Sequence, residues 1–167
     1  SRALSIATLV DDVGAEMRAM HQLGLLALAA KNWNRAAILF EAADRQAQTI
    51  QSNRLGHLVL AGIARHIDGD EELATAHTKS ATSIVSADKA EASNILTSIG
   101  NSLLAIDCPG LAIEVLDEAM ECAIESKQNA SMEILAEMLL LANTAMSNKE
   151  QVQYEGLRQL LDRLNSI

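Results

Sequence analysis

Aromatic residues are almost missing from this chain: Trp33, Phe40 and Tyr154 are the only three among 167 residues. β-Sandwiches and barrels draw on aromatic and β-branched side chains and on frequent turn residues, so this scarcity argues against them. Proline is reduced to Pro109, and an alanine- and leucine-rich chain with so few breakers reads as all-α. Two cysteines, Cys108 and Cys122, are too few for a disulfide-held secreted scaffold. Reduced thiols and a cytoplasmic location are the expectation. Lys and Arg number 13 against 22 Asp and Glu, for a formal net charge of −9. The positive footprint that nucleic acids require is therefore lacking, and an anionic membrane surface is disfavoured on the same ground. No run approaches the roughly 18 apolar residues of a transmembrane helix, and no signal peptide is visible. A chain opening on Ser1 in place of Met reads as processed or cut from a longer one.

What is present is a large apolar fraction, 49%, beside 21% charged residues, which excludes extended disorder. A chain of this length can bury roughly 70% of its unfolded surface without a metal or disulfide staple. Turn signals recur at Asn32-Trp33-Asn34, Asp68-Gly69-Asp70, Asp107-Cys108-Pro109 and Ser147-Asn148, with weaker breaks at Ser52-Asn53, Ser86-Ala87-Asp88 and Gln128-Asn129. The stretches between them carry helical patterns, giving about eight segments of roughly 15–18 residues. Asn34 is the expected cap of the helix starting at Arg35, and Asp70 of the one starting at Glu71. Pro109 suits a first helical position, where its missing N–H costs nothing.

The segments repeat. Gly24, Gly62 and Gly100 stand 38 residues apart, each followed twelve residues later by alanine (Ala36, Ala74, Ala112) and seven further by another (Ala43, Ala81, Ala119). Apolar residues precede each glycine by four (Met20, Leu58, Leu96) and by one (Leu23, Ala61, Ile99), and Phe40, Thr78 and Leu116 lie between the alanines. A fourth copy has Ile134, Met138, Tyr154 and Leu157 but places Glu137 at an apolar position. Because a mid-helix glycine costs about 1 kcal/mol relative to alanine, three in register require a reason. Close packing of a helix pair supplies it, with the glycine admitting the partner's alanine and Phe40 or Leu116 filling the space above. Neither helix buries its apolar face alone, so such units stack.

This pattern resembles the tetratricopeptide repeat family, in a long-helix variety with about four residues more than the usual unit of about 34. The copies depart from the family at Ala27, where a large residue is usual, at Arg65 in the same place, at Thr78 for phenylalanine, and at Met138 and Glu150 in the fourth. The resemblance implies an all-α, right-handed α-solenoid of about four helix–turn–helix repeats, 14–51, 52–89, 90–127 and 128–167. Residues 1–13 are then an N-terminal capping helix or the end of a preceding repeat.

By the same resemblance the first helix of each unit lines a concave groove. The expected groove residues are Arg18, His21, Gln22, Leu25 and Leu28 in the first unit and Val59, Ile63 and His66 in the second. Asn94, Thr97, Ser98 and Asn101 follow in the third, and Leu135 and Asn143 in the fourth. The implied function is a protein–protein interaction module, a scaffold or adaptor binding a partner peptide or helix, with self-association also open. The alternative is a peptide- or ligand-sensing domain of a transcription or signalling regulator. Only Arg18 is firmly cationic in the groove, which argues against a receptor for C-terminal carboxylates. His21, His57, His66 and His77 form neither HExxH nor Glu-x-x-His. No phosphate loop or nucleophile motif appears, so neither metal, cofactor nor catalysis is expected. Glu114, Glu118, Glu121 and Glu125 read as a solvated helix face, and Cys122 as a small core residue.

Overall fold

The structure, a computed structural model, describes residues 2–149, with side chains from 11 to 148. These residues form seven helices: α1 (Arg2–Ala29), α2 (Trp33–Thr49), α3 (Leu55–Asp68), α4 (Glu71–Ala87), α5 (Lys89–Ala105), α6 (Pro109–Glu125) and α7 (Asn129–Lys149). The described residues contain no strand, and none of their helices is long and apolar enough to cross a membrane. Residues 2–13 continue α1 without a turn, in place of the separate capping helix or repeat end expected there. The second half of the expected fourth repeat, with Tyr154 and Leu157, lies outside the described residues.

The 38-residue period is written into the backbone at the helix ends. Lys31, Gly69 and Asp107 all have positive φ, at 57°, 89° and 63°. Each donates its N–H to the carbonyl three residues back (Leu28, His66, Leu104), and the next residue donates to the carbonyl five back (Ala27, Arg65, Leu103). This paired pattern satisfies the last carbonyls of a helix and turns the chain sharply. A second series, Gln51 and Lys127, repeats the same bonds at twice the spacing, from Gln51 to Gln48 and from Lys127 to Ile124. The missing middle member falls at Lys89, which is already helical because Asp88 alone separates α4 from α5. Asp88 Oδ1 accepts from the Glu91 N–H and starts α5 at once.

Capping follows the same register. Asn32 accepts from the Arg35 N–H at 3.3 Å, and Asp70 from the Leu73 N–H at 3.2 Å. The cap of α2 is thus Asn32 and not Asn34, because α2 begins two residues earlier than the turn signal suggests; Asn34 instead accepts from Arg65 Nη1. Pro109 opens α6 as expected.

Helices pack in chain order, α1 on α2, α2 on α3, α3 on α4, α5 on α6 and α6 on α7, whereas α4 and α5 touch only sparsely. Phe40, Leu28, Leu58, Leu60, Leu96, Leu103 and Leu116 are fully buried among the small residues Ala36, Ala43, Ala112 and Ala119. Gly24 and Gly100 face large side chains and not the alanines. A Cβ on Gly24 would lie 2.6 Å from the Phe40 ring, and one on Gly100 would overlap the Leu116 side chain. At Gly62 the residue in the same place is Thr78, and a Cβ there would meet nothing closer than its Oγ1 at 3.5 Å. The α3–α4 pair is therefore packed less tightly at this point than α1–α2 and α5–α6.

Candidate functional site

A cleft opens beside this more loosely packed helix pair. Of α4 only Ala74 and Ala81 are buried. A cavity of about 750 Å³ runs between α3, α4 and the start of α6, lined by Gly62, Ile63, Ala74, Thr78 and Leu111 among others. A second, of about 250 Å³, continues it inward past Val59, Ala81, Val85, Leu96 and Val115. Ile63, Thr78, Thr82 and Glu114 line both, so the two are one cleft. Its floor is apolar. Its α4 wall carries Thr75, Thr78, Lys79, Thr82 and Ser83, of which Thr78, Thr82 and Ser83 turn their hydroxyls onto carbonyls one turn back in α4. Glu114 and Glu118 rise from the α6 wall, and neither has a salt-bridge partner among the described residues. At the outer end His66 pairs with Glu71 at 2.8 Å, with both side chains mostly in water.

A separate cavity of about 420 Å³ lies between α1, α3 and α5, lined by Arg18, His21, Gln22, Asn53, Gly56, His57, Ile95 and Ile99. His21 and His57 meet there edge to face, with their Nδ1 atoms 3.0 Å apart. One ring must donate and the other accept, so at least one of the two imidazoles is neutral. Burial, and then the neighbouring His57, push the His21 pKa down to about 4. Burial also lowers His57, against the pull of the Asp44 carboxylate. Burial alone would raise the Asp44 pKa, but hydrogen bonds from Arg54 and Gln48 hold it below the usual carboxylate range. Arg54 grips Asp44 through both Nε (2.7 Å) and Nη2 (2.9 Å) and so ties the end of α2 to the start of α3.

Arg65 makes a similar fork with Glu41, at 2.7 and 2.9 Å. His77 Nε2 joins the same carboxylate at 3.0 Å. Burial would raise the Glu41 pKa, and these two partners bring it down instead. Arg65 and His77 thus fasten α3 and α4 to α2.

The expected groove residues are divided among several places. Arg18, His21 and Gln22 share the histidine cavity, while Val59, Ile63 and His66 line the cleft. Leu25, Leu28 and Leu135 are core residues, with 4%, 0% and 0% of their surface exposed, so they present nothing to a partner. Asn94, Ser98 and Asn101 are exposed on α5; Thr97 donates to the Ser93 carbonyl at 2.6 Å, and Asn143 to the Leu139 carbonyl at 2.8 Å. None of these five lines any of the three cavities. Sequence reasoning missed His57, whose partner is 36 residues away, and the second wall of the cleft, Glu114 and Glu118. The signal for the cleft was Thr78, the small residue where the other copies carry Phe40 and Leu116.

Cys122 is buried, and burial followed by Glu118 raises its pKa, which is the environment of an inert thiol. No group of three or more His, Cys, Asp or Glu among the described residues could hold a metal ion. No protein-family model matches this chain, and no curated protein matches it.

Proposed function

We propose that this chain is a protein–protein interaction module, a scaffold or adaptor without chemistry of its own, acting in the cytoplasm. In this reading it is a right-handed solenoid of about four tetratricopeptide-like units, and the partner's segment docks in the cleft between α4 and α6. The observation that supports it is the open apolar cleft beside Gly62 and Thr78. A helix pair whose equivalents hold Phe40 and Leu116 here holds Thr78, and the continuous apolar floor beside it lies open to a side chain from another molecule. Apolar clefts with a few flanking polar groups are the usual form of a recognition site, and a groove between helices suits a segment read at helical spacing.

The test is selection of peptides from a displayed random library on the full chain, with Thr78→Leu as the counter-target. Leucine at 78 fills the cleft as Leu116 fills its own unit. The expected result is a set of peptides that bind the native chain and lose the variant. Peptides that bind both equally, or no selected peptide at all, would remove the cleft as the docking site.

A further inference from the structure

We infer that the occupant of the cleft is a basic amphipathic helix, one that sets a large aliphatic or aromatic side chain against Gly62 and Thr78 and directs lysine or arginine at Glu114 and Glu118. The inference rests on the cleft being the docking site and specifies the chemistry of what docks. Three observations carry it. Gly62, Ala74 and Thr78 line the open apolar cleft, and Thr78 stands where Phe40 and Leu116 press on Gly24 and Gly100 in the other two helix pairs. Glu114 and Glu118 stand one turn apart on α6, exposed and without a cationic partner among the described residues. Cations spaced by one turn on a docked helix meet such a pair in register. The cleft also has helical length. Its α4 wall runs from Glu71 to Val85, about 21 Å at 1.5 Å per residue, which a helix of about 14 residues spans.

Acidic rim charges act mainly on encounter and on the choice of partner, while the buried apolar anchor holds the complex. Each part therefore has its own signature. Filling the cleft weakens every occupant, whereas reversing the rim charge changes which occupant is preferred.

The experiment is a calorimetric titration of the full chain with two probe peptides of about 14 residues. Both carry leucine at i, i+4, i+7 and i+11 on an alanine background; one has lysine at the flanking positions and the other glutamate. The lysine peptide is expected to bind about tenfold or more tightly than the glutamate peptide, with the difference shrinking at high salt. Thr78→Leu should weaken the lysine peptide by about tenfold. Glu114→Lys/Glu118→Lys should reverse the preference, while Glu133→Lys/Glu137→Lys, an equal charge change on α7, should leave it in place. If both peptides bind equally and both lose affinity on Thr78→Leu, the cleft stands and the basic-helix inference fails. If the α7 variant shifts the preference as far as the α6 variant, overall charge governs binding and the inference also fails. Binding indifferent to Thr78→Leu, or absent for both peptides, overturns the docking site and the inference together.

Discussion

Gly24, Gly62 and Gly100 occupy one register position and should respond to alanine in opposite directions. Alanine relieves the helix-propensity penalty of glycine at all three, worth about 1 kcal/mol. At Gly24 and Gly100 the new methyl collides with Phe40 or Leu116 inside a packed core, and overpacking of this kind costs about 1–3 kcal/mol. Gly62→Ala meets only ordinary contacts, so it should raise stability by up to about 1 kcal/mol. Urea denaturation of the three variants checks this, and a uniform response would mean that Gly62 is packed no more loosely than Gly24 and Gly100. The turn residues offer a second comparison. Lys31 is held at φ 57°, a conformation that glycine adopts without a Cβ penalty. Lys31→Gly should therefore stabilise the chain by about 0.5–1 kcal/mol, as read from the denaturation midpoint. The same substitution at Lys89, which falls in the register of Gln51 and Lys127 but opens α5 as a helical residue, should instead destabilise by up to about 1 kcal/mol.

At the scale of the helix, α4 is the exception. It buries two alanines, packs on α3, touches α5 sparsely and joins it through Asp88 alone. α2 and α6 bury six and seven residues and pack against helices on both sides. Local opening is easiest where few apolar contacts oppose it. Amide hydrogen exchange should accordingly be faster in α4 than in α2 or α6, and binding in the cleft should slow it most in α4. Equal protection of the three helices would show that α4 is held as firmly as its neighbours. Asp88 ends one helix and caps the next, so Asp88→Ala should cost about 1 kcal/mol, measured as a lower melting temperature, without altering the exchange of α2.

Across the whole molecule, the His21–His57 pair links α1 to α3 and makes stability depend on pH. The His21 pKa falls from its ordinary 6.5 to about 4 on folding, and His57 moves the same way. The unfolded chain thus binds more protons between those values. The contribution is fully present above pH 6.5 and is lost as pH falls toward 4, to a limit of about 3 kcal/mol for His21. The depressed carboxylates Asp44 and Glu41 add their own loss at still lower pH, below their ordinary values of 3.8 and 4.5. The melting temperature should be nearly level from pH 7 to 8 and decline from about 6.5 to 4. His21→Leu should flatten much of that decline. A variant with the wild-type slope would assign the pH dependence to other groups.

The helical class, the 38-residue spacing and the small–large alternation could be read from the sequence because each rests on local rules: propensity, capping and side-chain periodicity along one chain. Asp70 and Pro109 were placed correctly for the same reason. The cap of α2 was misplaced by two residues because Asn32 and Asn34 are equally good caps and only the tertiary run of the helix selects between them. The groove was harder to read. Leu25, Leu28 and Leu135 were assigned to it by register, but which face of a helix stays open depends on how closely the next hairpin approaches. Nothing within a single helix encodes that distance. Thr78 marked the place as a departure from pattern, yet whether a small residue leaves a void or lets its neighbours close in is decided by the rest of the molecule. Here α4 rests mainly on α3 and only sparsely on α5, and the space remains. The sequence determined the helices and their repeat through local energetics; the tertiary structure alone decided where the repeat stays open, because a cleft is a property of the distance between elements.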